Sequence, residues 1–329
     1  MTKRQEEIPM EDMAGVNRRV IQWFPGHMAK TLRMMEKEIR NVDCVLQILD
    51  ARIPLSSLNP EIERITREKP HLYLLNKSDL ADPDITKQWL SYFKSAGAGC
   101  LAVDARQKKA ANAVRGPILS ELSALIARRR NRGMAGARTR VMVVGIPNVG
   151  KSTFINSFAG EARAKAANKP GVTRGKQWIT VGDFDLLDMP GVLWKKFDTL
   201  ETATNLAFIG SIRDDILDIE ELACGLLSSV RAIYPQRLLE RYKLEESALE
   251  LAPYDLLLAI GAKRGMLVSG GEGDSERAAR MLVGEFRASK WGRISLERPP
   301  QPAAPEPDWE EDDSDADLEK EEADAPQDD

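Results

Sequence analysis

The stretch VVGIPNVGKST, Val143 to Thr153, constrains the architecture of this chain more than any other feature. An apolar run ends at Gly145, Gly150-Lys151-Ser152 stands four residues on, and a helical pattern, FINSFAG, comes next. Strand, glycine-rich turn and helix start in this order form a phosphate-binding loop. The glycines let backbone N–H groups turn inward, and the helix start adds the positive end of its dipole. Such a loop belongs to an α/β sandwich with a mostly parallel sheet and helices on both faces. The preceding sequence has that rhythm. CVLQILD (Cys44 to Asp50), HLYLLN (His71 to Asn76), CLAVD (Cys100 to Asp104) and RVMVVG (Arg140 to Gly145) are short apolar runs. Between them lie helical patterns over Pro60 to Glu68, Pro83 to Ala96 and Ala111 to Arg129.

The residue types in the loop assign its chemistry. Backbone N–H groups of Asn148, Val149, Gly150 and Thr153 are placed for phosphate oxygens, Lys151 for the β- and γ-phosphates, and the Ser152 hydroxyl for Mg²⁺. In DLLDMPG, Asp188 ends a strand where its carboxylate can hold the Mg²⁺ shell, and Gly191 offers an N–H to the γ-phosphate. KPGVTRG supplies Thr173, a hydroxyl that can close on Mg²⁺ when the γ-phosphate is present. LLNKSD selects the base. The Asp79 carboxylate can accept from guanine N1–H and N2–H₂, whereas adenine would present an acceptor there. The Lys77 stem would lie along the purine and Asn76 would tie this loop to the phosphate side. In VDAR, Asp104-Ala105 ends the next strand, and the Ala105 N–H is aimed at guanine O6.

The order of these pieces is unusual. Asn76, Lys77, Asp79, Asp104 and Ala105 precede the phosphate loop, Thr173 and Asp188, whereas base-reading segments ordinarily come after it. A circular permutation accounts for this: the usual ends are joined through Ala111 to Arg140, and new ends open after the strand carrying Asp188. Sheet packing tolerates a cut anywhere at the surface. The segment around Gly191 then leads directly into the C-terminal part of the chain.

That C-terminal part is helical. GDFD turns two strands at Gly182-Asp183; from Thr199 onward strand signals cease, and Asp214 to Tyr234, Pro235 to Leu251, Tyr254 to Arg264 and Asp274 to Lys290 read as helices. On the last, Arg277, Arg280 and Arg287 fall on one stripe, with Lys263, Arg264, Lys290 and Arg293 near it and Trp291 available for stacking, a pattern suited equally to RNA phosphates and to a solvated face. Beyond RPPQPAAPEP the chain is acidic: from Glu306 to Asp329, 14 Asp and Glu stand against one Lys, a net of −13, so with −4 overall the remainder carries +9. The tail is expected to be disordered, and the basic body hints at a polyanionic partner. Three scattered cysteines read as reduced core thiols, and the lack of an apolar run of about 18 residues or a signal peptide leads to the expectation of a cytoplasmic protein with no membrane partner.

Taken together, IQWFPGHMAK (Ile21 to Lys30), DARIPLSSLNP, NKSD, GIPNVGKST, PGVTRG, DMPGVLW, GAKRGML and FRASKWGRISLERP resemble the circularly permuted GTPases of the YlqF/RbgA type, the ribosome biogenesis GTPase A family. The resemblance spans about residues 20 to 298. It implies an N-terminal arm (1–30), a permuted GTPase domain (31–195), an all-α RNA-binding domain (199–298) and an acidic tail (299–329). It also implies a GTP-hydrolysing factor that binds the maturing large ribosomal subunit and its rRNA and promotes late assembly; a monomer is expected. Val192 stands where Ras-like proteins carry a water-orienting glutamine. The resemblance points instead to His27 for catalysis beside Lys151, and to Asn148 as a K⁺ ligand. An RNA-binding factor with a regulatory, barely catalytic nucleotide site is the alternative; a kinase is disfavoured by Asp79.

Overall fold

A computed structural model describes residues 25–134, 136–160, 175–268 and 273–300, with the side chains of 108–111 not described. Thr173, Trp23, Phe24 and the acidic tail lie outside the described residues. Among those described, six strands form one sheet: β1 (Cys44–Asp50), β2 (His71–Asn76), β3 (Gly99–Val103), β4 (Thr139–Val144), β5 (Gln177–Val181) and β6 (Phe184–Asp188), in the spatial order β3-β2-β1-β4-β6-β5. All pairs are parallel except β5 with β6, which the Gly182-Asp183 turn joins as a hairpin. Every residue of β1 is buried, as a central strand covered on both faces requires.

The covering helices are set by local signals. In α2 (Pro60–Thr66) and α3 (Pro83–Ser95), proline occupies the first turn, and the side chains of Asn59 and Asp82 accept backbone N–H groups at the N-cap. α3 packs Ile85, Trp89 and Phe93 against Leu49, Tyr73 and Leu75 on one side of the sheet. An opening helix, α1 (Gly26–Glu38), buries Met28 and Met35 in the larger core. The helix expected over Ala111 to Arg129 is two, α4 (Lys108–Glu121) and α5 (Ser123–Asn131), parting at Leu122. α6 (Lys151–Ala159) leads out of the phosphate loop.

After β6 come α7 (Leu200–Phe208), α8 (Ile219–Ile233), α9 (Pro235–Tyr242), α10 (Pro253–Lys263) and α11 (Ser275–Arg287). Their buried residues, among them Leu206, Leu226, Ile260 and Leu282, belong to the same apolar cluster as Val143 and Leu187 of the sheet. Asp218 caps α8, so the helix expected from Asp214 begins later, after a single 3₁₀ turn. α9 stops at Tyr242 because Lys243 adopts a left-handed conformation, φ 53°; the rest of the expected span to Leu251 is a 3₁₀ turn.

The chain returns from α11 to the sheet through Glu297. Its buried carboxylate accepts from the N–H groups of Leu55 (2.8 Å) and Ser56 (3.0 Å) and from Asn205 Nδ2 (3.2 Å), and it bonds the Ser56 hydroxyl. Burial pushes its pKa up from 4.5 to about 7, although these donors pull the other way. The folded state therefore holds its proton where the unfolded state has released it. The contribution is fully present below pH 4.5 and fades as pH rises to about 7. The stability difference between wild type and Glu297→Gln, followed by urea unfolding, should change by about 3 kcal/mol across that window.

Candidate functional site

The site forms at the carboxyl ends of β1, β2, β4 and β6, where three loops are laced together. β4 runs into Gly145, φ 148°, where a Cβ would stand 2.4 Å from the Ile48 carbonyl oxygen. At the other end of the loop Gly150, φ 96°, caps α6, and a Cβ there would stand 2.3 Å from Asn76 Nδ2. Both positions require glycine for conformation and for space. Asn76 is the lace: Nδ2 donates to the Val149 carbonyl (2.6 Å), while Oδ1 accepts from the Ala105 N–H (2.9 Å). Lys77, itself left-handed at φ 60°, crosses to the Asn148 carbonyl (2.7 Å) and to Asp50 (3.0 Å). Segments far apart in the chain are thus joined at one end of the sheet: Asn76 and Lys77 to Val149 and Asn148 of the phosphate loop, and Asn76 to Ala105.

Lys151 is buried and donates to the carbonyls of Gly145 (3.0 Å) and Ile146 (2.7 Å). Burial lowers its pKa to about 8, against the opposing attraction of Asp188. Asp188, 2% exposed, ends β6 in register with Val143 of β4. Gly191 lies against the loop: a Cβ there would meet Lys151 Nζ, Pro147 Cα and Pro147 N, each at 2.9 Å. The donor set fits a magnesium ion. Hard oxygens from Ser152 and Asp188, with a single carboxylate, suit a cation that takes the rest of its shell from phosphate and water.

In the loop after β2, Asp79 Oδ2 pairs with Arg106, and its buried Oδ1 has no hydrogen-bond partner among the described residues. Arg106 is 66% exposed and also holds Asp104 at 3.0 Å. Asp104 accepts the Arg106 N–H as well, so its carboxylate shapes the loop. The Ala105 N–H is spent on Asn76 in this structure, a correction to the expectation that it faces guanine O6: the short strand exit brings it to the nearer acceptor. His27 is exposed on the first turn of α1, whose opposite side is buried.

Contacts that hold the loops from outside could not be read from the motifs. Asn59, besides capping α2, donates from Nδ2 to the Val192 carbonyl (2.8 Å), fastening the segment next to Gly191. Asp50, fully buried, receives the Arg52 guanidinium and Lys77; these cations hold its carboxyl well below the usual range despite burial. A buried-polar signal is present in DARIPLSSLNP, but nothing local names its partners. Asn148 Nδ2 donates to the Gly210 carbonyl (2.5 Å) and Ser211 Oγ to the Pro147 carbonyl (2.8 Å), so the helical segment touches the phosphate loop directly.

The basic stripe of α11 divides. Arg277 and Arg280 are exposed, Arg280 paired with Glu276 at 2.6 Å; Lys263, Arg264, Lys290 and Arg293 are exposed as well. Arg287 departs from the expectation of an RNA contact. Its half-buried guanidinium forks onto Asp214 (2.7 and 2.8 Å) and donates to the carbonyls of Phe208 and Ala207, clamping the loop that carries Gly210. Trp291 is likewise not a stacking platform. It is 3% exposed, packs between Phe286 and Tyr242 and donates to the Tyr242 hydroxyl (2.7 Å), because its apolar surface completes the core under α11.

A family model described as 50S ribosome-binding GTPase matches residues 140–252. Ribosome biogenesis GTPase A of Priestia megaterium is 42% identical over 287 residues, 87% of this chain and 99% of that protein. Mitochondrial ribosome-associated GTPase 1 of Xenopus tropicalis is 33% identical over 301 residues, covering 85% and 95%. Among solved structures, GNP-bound YlqF from T. maritima superposes with a TM-score of 0.56 at 27% identity, covering 82% of this chain and 98% of that one.

Proposed function

The chain belongs to the ribosome biogenesis GTPase A family and is a GTPase of ribosome assembly, and from that premise we propose that it binds the maturing large ribosomal subunit and grips its rRNA. Residues 31–195 then make the nucleotide-binding domain, 199–298 the RNA-facing domain, and 1–30 and 299–329 an arm and a tail. Asn76, Lys77 and Asp79 serve the guanine side, and Asn148 to Thr153, Thr173 and Gly191 the phosphates; Asp104 and Ala105 shape the base-side loop. Ser152, Thr173 and Asp188 would hold Mg²⁺, which neutralises charge on the β- and γ-phosphates. A cytoplasmic monomer is the working form; no described helix is long and apolar enough to cross a membrane.

The observation that carries this function is the pair of hydrogen bonds, from Asn148 to the Gly210 carbonyl and from Ser211 to the Pro147 carbonyl, that join the phosphate loop to the loop after α7. Arg287 fastens that same loop to α11, the helix presenting Arg277 and Arg280. A γ-phosphate that shifts Gly191 or Asn148 therefore pulls on the segment carrying the RNA-facing cations, here Lys263, Arg264, Arg277, Arg280, Lys290 and Arg293. Co-sedimentation with large subunits in a non-hydrolysable GTP analogue and in GDP tests it. Retention only with the analogue supports the switch; equal retention in both states, or none, removes it.

His27 orients the attacking water in this scheme, since Val192 has no group to do so. His27→Ala should lower the subunit-stimulated rate by about 10²-fold while leaving GDP affinity in place, checked by phosphate release and fluorescent-GDP titration. Asn148, whose Nδ2 is taken by the Gly210 carbonyl, would hold K⁺ through its amide oxygen, and the ion would supply positive charge beside the phosphates. Hydrolysis should be faster in K⁺ than in Na⁺ buffer; equal rates exclude the ion.

A further inference from the structure

The segment that closes the permutation, between β3 and β4, carries charge that the nucleotide site does not use. Arg128, Arg129, Arg130, Arg132, Arg138 and Arg140 fall within thirteen residues that contain no Asp or Glu. α5 has no fully buried residue, so packing alone does not explain its composition. One arginine fastens it: Arg129 forks onto Asp43 (2.6 and 3.0 Å), and Asp43 also accepts the Arg140 N–H (2.8 Å) while donating its own N–H to the Arg140 carbonyl (2.7 Å). That junction brings the end of α5 to the start of β4. Arg128, Arg130 and Arg132 are exposed there, with no ion-pair partner among the described residues.

The neighbouring sheet surface continues the patch. Arg138 and Arg140 alternate onto the side of the sheet that Trp178 of β5 shares. Trp178 is 39% exposed, and the Arg140 guanidinium lies 5.8 Å from its ring centroid. Four acids temper the charge: Asp43 on Arg129, Asp185 3.8 Å from Arg138, Glu38 paired with Lys176, and the exposed Asp183, whose carbonyl accepts the Thr139 N–H. Arg128, Arg130 and Arg132 are left as the unneutralised part of the patch. Because β4 runs from this end into the phosphate loop, the patch stands about 20 Å from that loop, one strand length away.

We propose that the exposed arginines of α5 and β4, with Trp178, form a second RNA-binding surface, distinct from α11, that takes a single-stranded or looped segment. Guanidinium groups suit phosphates, an exposed tryptophan suits an unstacked base, and a cation over its ring reinforces such a platform. A duplex offers phosphates but no free base, so Trp178 gives the surface its preference for unpaired RNA. Helix-terminal arginines with little else to hold them are thereby explained by what they bind. The proposal rests on the proposed function of the chain as an RNA-gripping assembly factor.

The test is fluorescence anisotropy of the full chain with a labelled single-stranded RNA of about 20 nucleotides and with a duplex of equal length, between roughly 50 and 200 mM KCl. Arg128→Gln/Arg130→Gln/Arg132→Gln should weaken single-strand binding about 10-fold or more and reduce the slope of log affinity against log salt by about 2, near 0.7 for each phosphate that is no longer neutralised. Trp178→Ala should cost about fivefold or more on the single strand and leave the duplex unchanged. Thermal melting of each variant checks the fold, and Arg129 is left intact because it holds α5 in place. An unchanged slope in the triple variant, beside a clear drop in affinity for Arg277→Ala/Arg280→Ala, overturns the second surface and leaves the proposed function standing. Failure of the wild type to bind either RNA overturns both. Unaltered RNA binding with abolished retention on large subunits assigns the patch to an acidic protein face and overturns the RNA proposal.

Discussion

Replacing Asp79 by asparagine should weaken GTP binding by about 10²-fold or more and turn the pocket toward xanthosine triphosphate. Guanine presents two donors, N1–H and N2–H₂, to this side chain. A carboxylate accepts both, whereas an asparagine accepts one and sets its own NH₂ against the other. Xanthine carries a carbonyl where guanine has its amine, so the same amide then matches both atoms. The structure gives Asp79 the character such a role needs, with one buried oxygen lacking a partner among the described residues. Arg106 holds the other from the solvent side. Exposed pairs of that kind are worth at most about 1 kcal/mol, so guanine can displace it. Competition between GTP, XTP and ATP for a bound fluorescent nucleotide measures the switch; a variant that keeps its preference for GTP would place the base elsewhere.

Gly150→Ala should have a comparable effect by a different route. The backbone at Gly150 has φ 96°, which alanine adopts with strain, and the added Cβ would fall 2.3 Å from Asn76 Nδ2. Relief requires Asn76 to move, and Asn76 is what joins the Val149 carbonyl to the Ala105 N–H. Backbone strain plus the loss of buried hydrogen bonds should cost about 3 kcal/mol of stability and abolish tight nucleotide binding. Gly97→Ala is the control. Its φ of 73° is also positive, but nothing lies within 4 Å of the added atom, so only about 1 kcal/mol of conformational cost is expected. Urea unfolding and nucleotide titration of both variants separate the clash from the conformational term; equal losses would show that Asn76 is not the sensitive contact.

Much of this architecture is legible in the chain because the informative signals are local. CVLQILD and HLYLLN mark β1 and β2 to the residue, since buried parallel strands must be unbroken apolar runs. Asp274 caps α11 through its side chain, as its position suggests. Elements without such a signal are harder to see. α1 begins at Gly26 with Pro25 at its N-cap and no side-chain cap, a pair that marks turns more often than helix starts, and α7 is short, capped by a lone Thr199. A single helical pattern from Ala111 to Arg129 conceals the break at Leu122, where the backbone leaves helical geometry.

The site divides along the same line. Motif residues announce themselves by type and spacing, whereas the contacts that organise them join positions far apart in the chain, as Asn59 to Val192 and Asn148 to Gly210 do. Arg287 shows where spacing misleads. It falls on the stripe of Arg277 and Arg280, yet the end of α7 takes its N–H groups and Asp214, just beyond, takes its charge. Trp291 misleads for the converse reason, because an amphipathic ring looks alike in sequence whether it caps a core or waits for a base.

Phosphate release from GTP by the full chain, with and without purified large ribosomal subunits, bears most directly on the central claim. Slow turnover alone, rising by about 10³-fold or more when subunits are added and absent with ATP, is the result expected of a guanine-specific pocket wired to a ribosome-facing domain. A rate that subunits leave unchanged, or that ATP supports equally, would contradict it.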